Sequence, residues 1–303
     1  MTRAAYRGRF APTPSGPLHF GSLVAATGSY LEAKSRGGEW LLRIDDLDPP
    51  RIEGGATRSI LHCLEALGFE WDGPVLHQSA RGPAYHAALH RLRWLGVIYP
   101  CACSRKEIAE SALAGVEGPI YPGTCRGGIP HGRAARALRF DTRGAVVAFD
   151  DGLLGPQRRD LERESGDFVV YRTDGVYAFH LASAVDDGEL GITDVVRGVD
   201  LLESSARQIH VLQVLGLPTP RYVHLPIAVD ARGEKLSKQT HAPAIEPARP
   251  LAALTAVWEF LNQGSAADLA GLTLRDFWRH AIAHWDLRRV GRQREAAAPD
   301  MAH

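Results

Sequence analysis

The chain has 303 residues, 45% of them hydrophobic, which is enough for one large domain or two small ones with a full core, and nothing in it resembles a disordered or fibrous protein. Lys plus Arg and Asp plus Glu both number 35, so any nucleic acid would have to be held by a local basic face rather than by net charge. No apolar run approaches the about 18 residues needed to span a bilayer, and the N-terminus turns polar and Pro-rich at once, so the expectation is a cytoplasmic protein without a signal peptide. The first strand reads Tyr6–Phe10 and enters the turn-rich segment APTPSGPLHFGS, after which a helix runs from about Ser22 to Ala33. A second strand over Glu39–Ile44 ends in the acidic run Asp45-Asp46-Leu47-Asp48, and helical spacing predicts helices over about 54–68 and 83–96. This alternation points to a parallel α/β sheet with ligand sites at the strand C-termini. From Ile98 to about Gly132 the pattern breaks into Cys, Gly and Pro and reads as an insertion. Strands are expected at 136–141, 146–149, 167–171, 176–184, 190–197 and 222–229, with a helix at about 203–215. Two helices near 250–261 and 273–285 follow, and the Arg/Ala-rich stretch after Val290 reads as frayed.

Two segments carry chemistry. Arg9-Phe10-Ala11-Pro12-Thr13-Pro14-Ser15-Gly16-Pro17-Leu18-His19-Phe20-Gly21-Ser22 is a strand, a rigid turn and a helix start whose free N–H groups suit an anion. Gly21 allows close approach to the backbone, and His19 offers a donor to phosphoryl oxygens. Far downstream, Lys235-Leu236-Ser237-Lys238-Gln239 holds two of the four lysines in the chain. Lysines on such a loop pair with phosphate charge as it develops in a transition state. A third cluster, Cys101-x-Cys103 with Cys125, has metal-like spacing and offers three of the four ligands zinc prefers. On chemistry alone His131 competes for the fourth place. Cys63 lies in a helical pattern and reads as a small buried apolar residue.

Together the first two segments resemble the paired HIGH and KMSKS signatures of class I aminoacyl-tRNA synthetases. RFAPTPSGPLHFGS, LLRIDDLDPPR, VDDGELGITDVVRGVDLLESSARQ and EKLSKQ resemble the glutamyl branch and span about residues 7–240. Only 65 residues follow Lys238, too few for the helical anticodon-binding region of a full glutamyl-tRNA synthetase. The resemblance is therefore to the truncated glutamyl-queuosine tRNA(Asp) synthetases. It implies a Rossmann-like class I catalytic domain over 1–240, a zinc-binding insertion at 98–132 and a short helical region over 241–303. It further implies that glutamate, ATP and Mg²⁺ react to glutamyl-adenylate, and that glutamate passes to queuosine in the anticodon loop of tRNA(Asp).

The same resemblance assigns residues. Catalysis falls to His19 and Lys238, and ATP binding to His19, Gly21, Ser22, Lys235, Ser237 and Lys238. Glutamate would lie against Arg9, Phe10, Ala11, Pro12, Thr13, Asp45, Phe179 and Arg197, with the division of its two carboxylates between Arg9 and Arg197 left open. Tyr121 would complete a Cys101, Cys103, Cys125 site for Zn²⁺. A monomer is the family default. Two departures stand out: Asp45 replaces the usual Glu at the ammonium, and Phe179 replaces a Tyr whose hydroxyl contacts glutamate. Tyr177, on the same face of an extended segment, is the expected substitute for that hydroxyl. The alternatives are a minimal enzyme charging the 3′ end of tRNA(Glu), a cytidylyltransferase-like enzyme and a non-catalytic tRNA-binding paralogue.

Overall fold

The computed structural model describes residues 5–111, 114–115, 118–230, 232–236 and 243–299. The chain begins with β1 (Arg7–Phe10), α1 (Phe20–Lys34), β2 (Glu39–Ile44), α2 (Ala56–Ala66), β3 (Leu76–His77) and α3 (Gly82–Trp94). Next come β4 (Ile98–Cys101), α4 (Arg105–Ser111), β5 (Ala114–Gly115), β6 (Gly118–Pro119), β7 (Ala137–Phe140), β8 (Val146–Asp151) and β9 (Gly155–Asp160). They are followed by α5 (Leu161–Glu164), β10 (Val169–Tyr171), α6 (Phe179–Glu189), β11 (Asp194–Gly198), α7 (Leu202–Leu215), β12 (Arg221–Leu225) and β13 (Ile227–Val229). The chain closes with α8 (Pro250–Phe260), α9 (Leu274–His284) and β14 (Glu295–Ala297).

β1, β2 and β3 pair in parallel, and so do β11 and β12, with β8 joining through one parallel bridge and β9 antiparallel at the edge. β1 and β11 lie side by side, joined by the Thr193 N–H to the Arg7 carbonyl at 2.9 Å and the Arg7 N–H to Thr193 Oγ1 at 2.8 Å. From β1 the chain proceeds outward through α1 and β2; from β11 it proceeds the other way through α7 and β12. The direction of winding reverses between β1 and β11, which is where doubly wound sheets open a crevice at the strand C-termini. β4, β7 and β10 form a separate antiparallel sheet beneath the cysteine segment.

α1 is buried nearly all round, because the sheet covers one side and α8 and α9 the other. Its small residues make that possible: a Cβ on Gly28 would sit 2.4 Å from Leu225 Cδ1 of β12. Tyr30 meets Trp40, Phe69 and Trp278 with ring centroids 5.1, 5.3 and 4.8 Å away. Trp278 Nε1 donates to the Leu67 carbonyl at 2.9 Å and Trp285 Nε1 to Glu32 Oε2 at 2.7 Å. Each buried aromatic contributes on the order of 2–3 kcal/mol, so α8 and α9 share the core of the sheet.

Three expectations need correction. Residues 176–184 are not one strand: Tyr177 makes an isolated bridge to Tyr171, and Phe179 already opens α6. Leu181 through Gly188 are all buried, so α6 lacks the polar face that marks a helix in a sequence. The strand over 222–229 is two strands, broken at Pro226, which has no N–H for a ladder. The stretch after Val290 is ordered through 295–297, where β14 pairs in parallel with β13. β9, made of GPQRRD, is a charged edge strand in a stretch to which the sequence pattern assigned no element.

Candidate active site

The crevice between β1 and β11 is a cleft of about 1060 Å³. Of the residues singled out for glutamate, Arg9, Phe10, Ala11, Pro12, Thr13, Asp45, Phe179 and Arg197 all line it. So do His19, Gly21, Ser22 and Lys235 of the ATP set; Ser237 and Lys238 lie outside the described residues. Sequence positions separated by more than two hundred residues, from Arg9 to Lys235, therefore face one space.

The turn after β1 is held by its prolines and by Gly16, whose φ of 124° excludes a side chain. The Asp45 and Glu53 amides donate to the Pro12 and Pro14 carbonyls at 3.0 Å each, which ties the turn to the end of β2. His19 caps α1: its Nδ1 accepts from the Ser22 N–H at 3.4 Å, and its Nε2 lies 3.0 Å from Ser22 Oγ. A Cβ on Gly21 would be 3.3 Å from the His19 ring and 3.4 Å from the Leu236 carbonyl, so a larger residue would narrow the space at the helix start. Lys235 pairs with Asp200 at 2.6 Å on the opposite lip.

The two arginines differ in kind. Arg9 is buried and donates through Nε and Nη2 to Asp187 at 3.1 and 3.3 Å. Asp187 also accepts from Arg43 Nη1 at 2.7 Å, and Arg43 Nε reaches Asp45 at 2.6 Å. Beyond them Asp186 accepts from Gln78, Arg81 and Tyr85. In this network burial pulls the Arg43 guanidinium down, but Asp45, Asp187 and Asp186 outweigh it and hold it above its usual range. Burial pushes the Asp45 carboxyl up, which Arg43 offsets only in part. Arg197, also buried, has no carboxylate within 4.0 Å among the described residues. It donates to Leu201 O, Ser205 Oγ and His224 Nε2 at 3.2, 2.8 and 3.3 Å, and burial lowers its pKa to about 10. A buried cation without a close carboxylate is costly, and an anion bound in the cleft would offset that cost.

Tyr177 and Phe179 share the cleft but not a strand face. The Tyr177 ring packs against Tyr85 and Tyr171 with centroids 5.4 and 5.2 Å away, whereas Phe179 is 40% exposed at the first turn of α6. The Arg43–Asp45–Asp187 network was missed; the Asp186-Asp187 pair in a run of buried residues is the signal that would have found it.

The cysteine cluster stands apart from the cleft. Cys101, Cys103 and Cys125 place their Sγ atoms within 4.8 Å of one another, and Cys103 and Cys125 are 3.7 Å apart. A tetrahedron of Zn–S bonds has an edge of about 3.8 Å. The Tyr121 hydroxyl lies 3.3 and 3.6 Å from Cys101 and Cys103 Sγ, near the about 3.5 Å edge of a mixed Zn–O and Zn–S tetrahedron. His131 is exposed and is not in this group. Arg139 backs the cluster: its Nε donates to Cys101 Sγ at 3.3 Å and its guanidinium covers the Tyr121 ring at 3.9 Å. A positive charge there would offset the excess negative charge of three thiolates if they held a divalent ion.

Among the described residues no helix is long and apolar enough to cross a membrane. The model of the family "tRNA synthetases class I (E and Q), catalytic domain" matches residues 5–246. A protein of Aromatoleum aromaticum named Glutamyl-Q tRNA(Asp) synthetase is 53% identical over 294 residues, 97% of this chain and 93% of that protein. A protein of the same name from Burkholderia mallei is 54% identical over 295 residues, 95% of this chain and 98% of the other. Among solved structures, a glutamate tRNA ligase from Elizabethkingia meningosepticum in complex with its amino acid matches with a TM-score of 0.79 at 24% identity. That match covers 97% of this chain and 67% of that one, and it speaks for the fold alone.

Proposed function

The chain belongs to the class I tRNA synthetase (E and Q) catalytic-domain family, and on that premise we propose that it activates glutamate with ATP and transfers it to queuosine in the anticodon loop of tRNA(Asp). The observation that carries the glutamate reading is Arg197, a buried guanidinium that opens into the cleft without a carboxylate partner among the described residues. The side-chain carboxylate of glutamate keeps its charge throughout the reaction, while the α-carboxylate must be free to attack. A deep, permanent anchor therefore suits the former, and Arg197 takes it. The ammonium lies toward Asp45, whose oxygens it shares with Arg43.

In the first step an α-carboxylate oxygen bonds to the α-phosphorus of ATP and the bond to the bridging oxygen breaks, releasing pyrophosphate. No enzyme nucleophile is needed. The start of α1 presents backbone N–H groups and its positive dipole end to the phosphates, and the His19 Nε2–H adds a donor. Lys235 supplies a cation on the opposite lip, Lys238, outside the described residues, is the second cation of that segment, and Mg²⁺ when bound neutralises charge on the departing pyrophosphate. In the second step a hydroxyl of the queuosine cyclopentenediol attacks the acyl carbon and AMP leaves. The base is presented as an exposed loop nucleotide.

The insertion over 98–132 is a structural zinc module, with Cys101, Cys103, Tyr121 and Cys125 holding the ion and folding the segment rather than doing chemistry. The protein acts as a cytoplasmic monomer. The test of the activation step is ATP–pyrophosphate exchange with glutamate, glutamine and aspartate. Exchange with glutamate alone supports the reading; exchange with another amino acid, or with none, overturns it.

A further inference from the structure

We propose that Asp151 and His224 are positioning residues that hold Arg197 through a neutral imidazole, so that its charge stays available to the substrate carboxylate. The inference rests on the reading that Arg197 receives that carboxylate. The three residues stand on neighbouring strands: Arg197 of β11 is in register with His224 of β12, and Asp151 closes β8 beside Tyr222 of β12. All three are buried.

The hydrogen bonds fix the protons. Asp151 Oδ2 lies 2.6 Å from His224 Nδ1, and Asp151 Oδ1 accepts from the Leu153 and Leu154 amides at 3.0 and 2.9 Å. A carboxylate only accepts, so Nδ1 carries the imidazole proton and Nε2 is left with a lone pair. Arg197 Nε donates to that lone pair at 3.3 Å, and Ser205 Oγ lies 3.0 Å from it. Burial lowers the pKa of His224, which keeps the ring neutral; a second proton would face the Arg197 N–H.

The contrast with Arg9 gives the arrangement its meaning. Arg9 is oriented by direct pairing with Asp187, and a substrate carboxylate would compete with that partner. Arg197 is oriented by the same kind of acid, but with an imidazole interposed. The acid sets the tautomer, the tautomer sets the acceptor, and the acceptor aims the guanidinium without neutralising it.

Asp151→Asn separates this role from a structural one. Its Oδ1 still accepts from Leu153 and Leu154, while its amide faces Nδ1 with an N–H and drives the imidazole proton onto Nε2, against Arg197. The expected result is a KM for glutamate raised about 10- to 100-fold in pyrophosphate exchange, with the KM for ATP within about 2-fold. His224→Leu should do the same, and His224→Gln, whose Oε1 can accept from Arg197, should recover most of the loss. Equal rises in both KM values, or unchanged glutamate KM in a folded Asp151→Asn protein, would overturn the proposal. If Arg197→Met also leaves the glutamate KM unchanged, the carboxylate reading has failed; if Arg197→Met raises it and Asp151→Asn does not, only the relay has.

Discussion

Replacing Arg197 with Met should make the protein more stable and, at the same time, nearly unable to use glutamate. Arg197 is buried, its pKa is pulled down to about 10 by burial, and no carboxylate among the described residues lies within 4.0 Å of it, with Asp187 and Asp200 offsetting the burial only in part. Its removal strands few partners, because Ser205 Oγ already lies 3.2 Å from Leu201 O and 3.0 Å from His224 Nε2. Replacing a whole buried ion pair by apolar groups of similar volume is often neutral or stabilising by about 1–4 kcal/mol, and for this cation without a close carboxylate a gain near the lower end is expected because one acceptor loses a donor. A gain of about 1 kcal/mol corresponds to roughly 2 °C in Tm for a chain of this size. The substrate sees the opposite effect. A carboxylate facing a pocket without its buried partner loses about 3–5 kcal/mol, or between two and almost four orders of magnitude in kcat/KM. Differential scanning of the free protein and pyrophosphate exchange at varied glutamate measure the two halves. A Tm lowered by several degrees with a glutamate KM close to that of the parent would refute the reasoning and make Arg197 a structural residue.

Tyr177→Phe should raise the KM for glutamate by about 10- to 150-fold if its hydroxyl replaces the one absent at Phe179, and Phe179→Tyr should then restore binding; an unchanged KM in Tyr177→Phe excludes that role. Arg139→Leu should weaken zinc about 10- to 100-fold, measured by chelator competition with a zinc-sensitive dye, whereas equal affinity would show that the Arg139 contact to Cys101 does not tune the site. Burial pushes the His180 pKa from 6.5 down to about 3 and lowers that of His224 as well. As pH falls below about 6.5 the unfolded chain takes up these protons first, so stability should decline from there toward pH 3 by up to about 1.4 kcal/mol per unit from His180, with His224 acting in the same direction. Urea midpoints between pH 7 and 5 should show the slope, and His180→Leu should flatten it; an identical slope in that variant would contradict the assignment.

The cleft was legible because its described residues sit in segments whose local chemistry is unusual: a Pro-locked turn opening a helix, an acidic run ending a strand, and Lys235 in a chain otherwise rich in Arg. What stayed hidden depends on contacts between distant segments. His224 and Asp151 are 73 residues apart, and neither is remarkable in its own neighbourhood. α6 read as a strand because burial on every side removed its polar stripe, leaving Tyr177 and Phe179 to suggest alternation. β9 and β14 escaped notice because their polar and small residues obtain order from a partner strand rather than from their own pattern. Which side chain lies beside the cysteines likewise depends on the fold: the Tyr121 hydroxyl is 3.3 Å from Cys101 Sγ while His131 is exposed, although both lie within a few residues of Cys125.

The most direct test is transfer of labelled glutamate, with ATP and Mg²⁺, to tRNA prepared from cells that make queuosine and from cells that do not. Label confined to tRNA(Asp) from the queuosine-proficient cells is the predicted result. Label on tRNA(Glu) from both sources would instead make this a minimal glutamyl-tRNA synthetase and contradict the proposed acceptor.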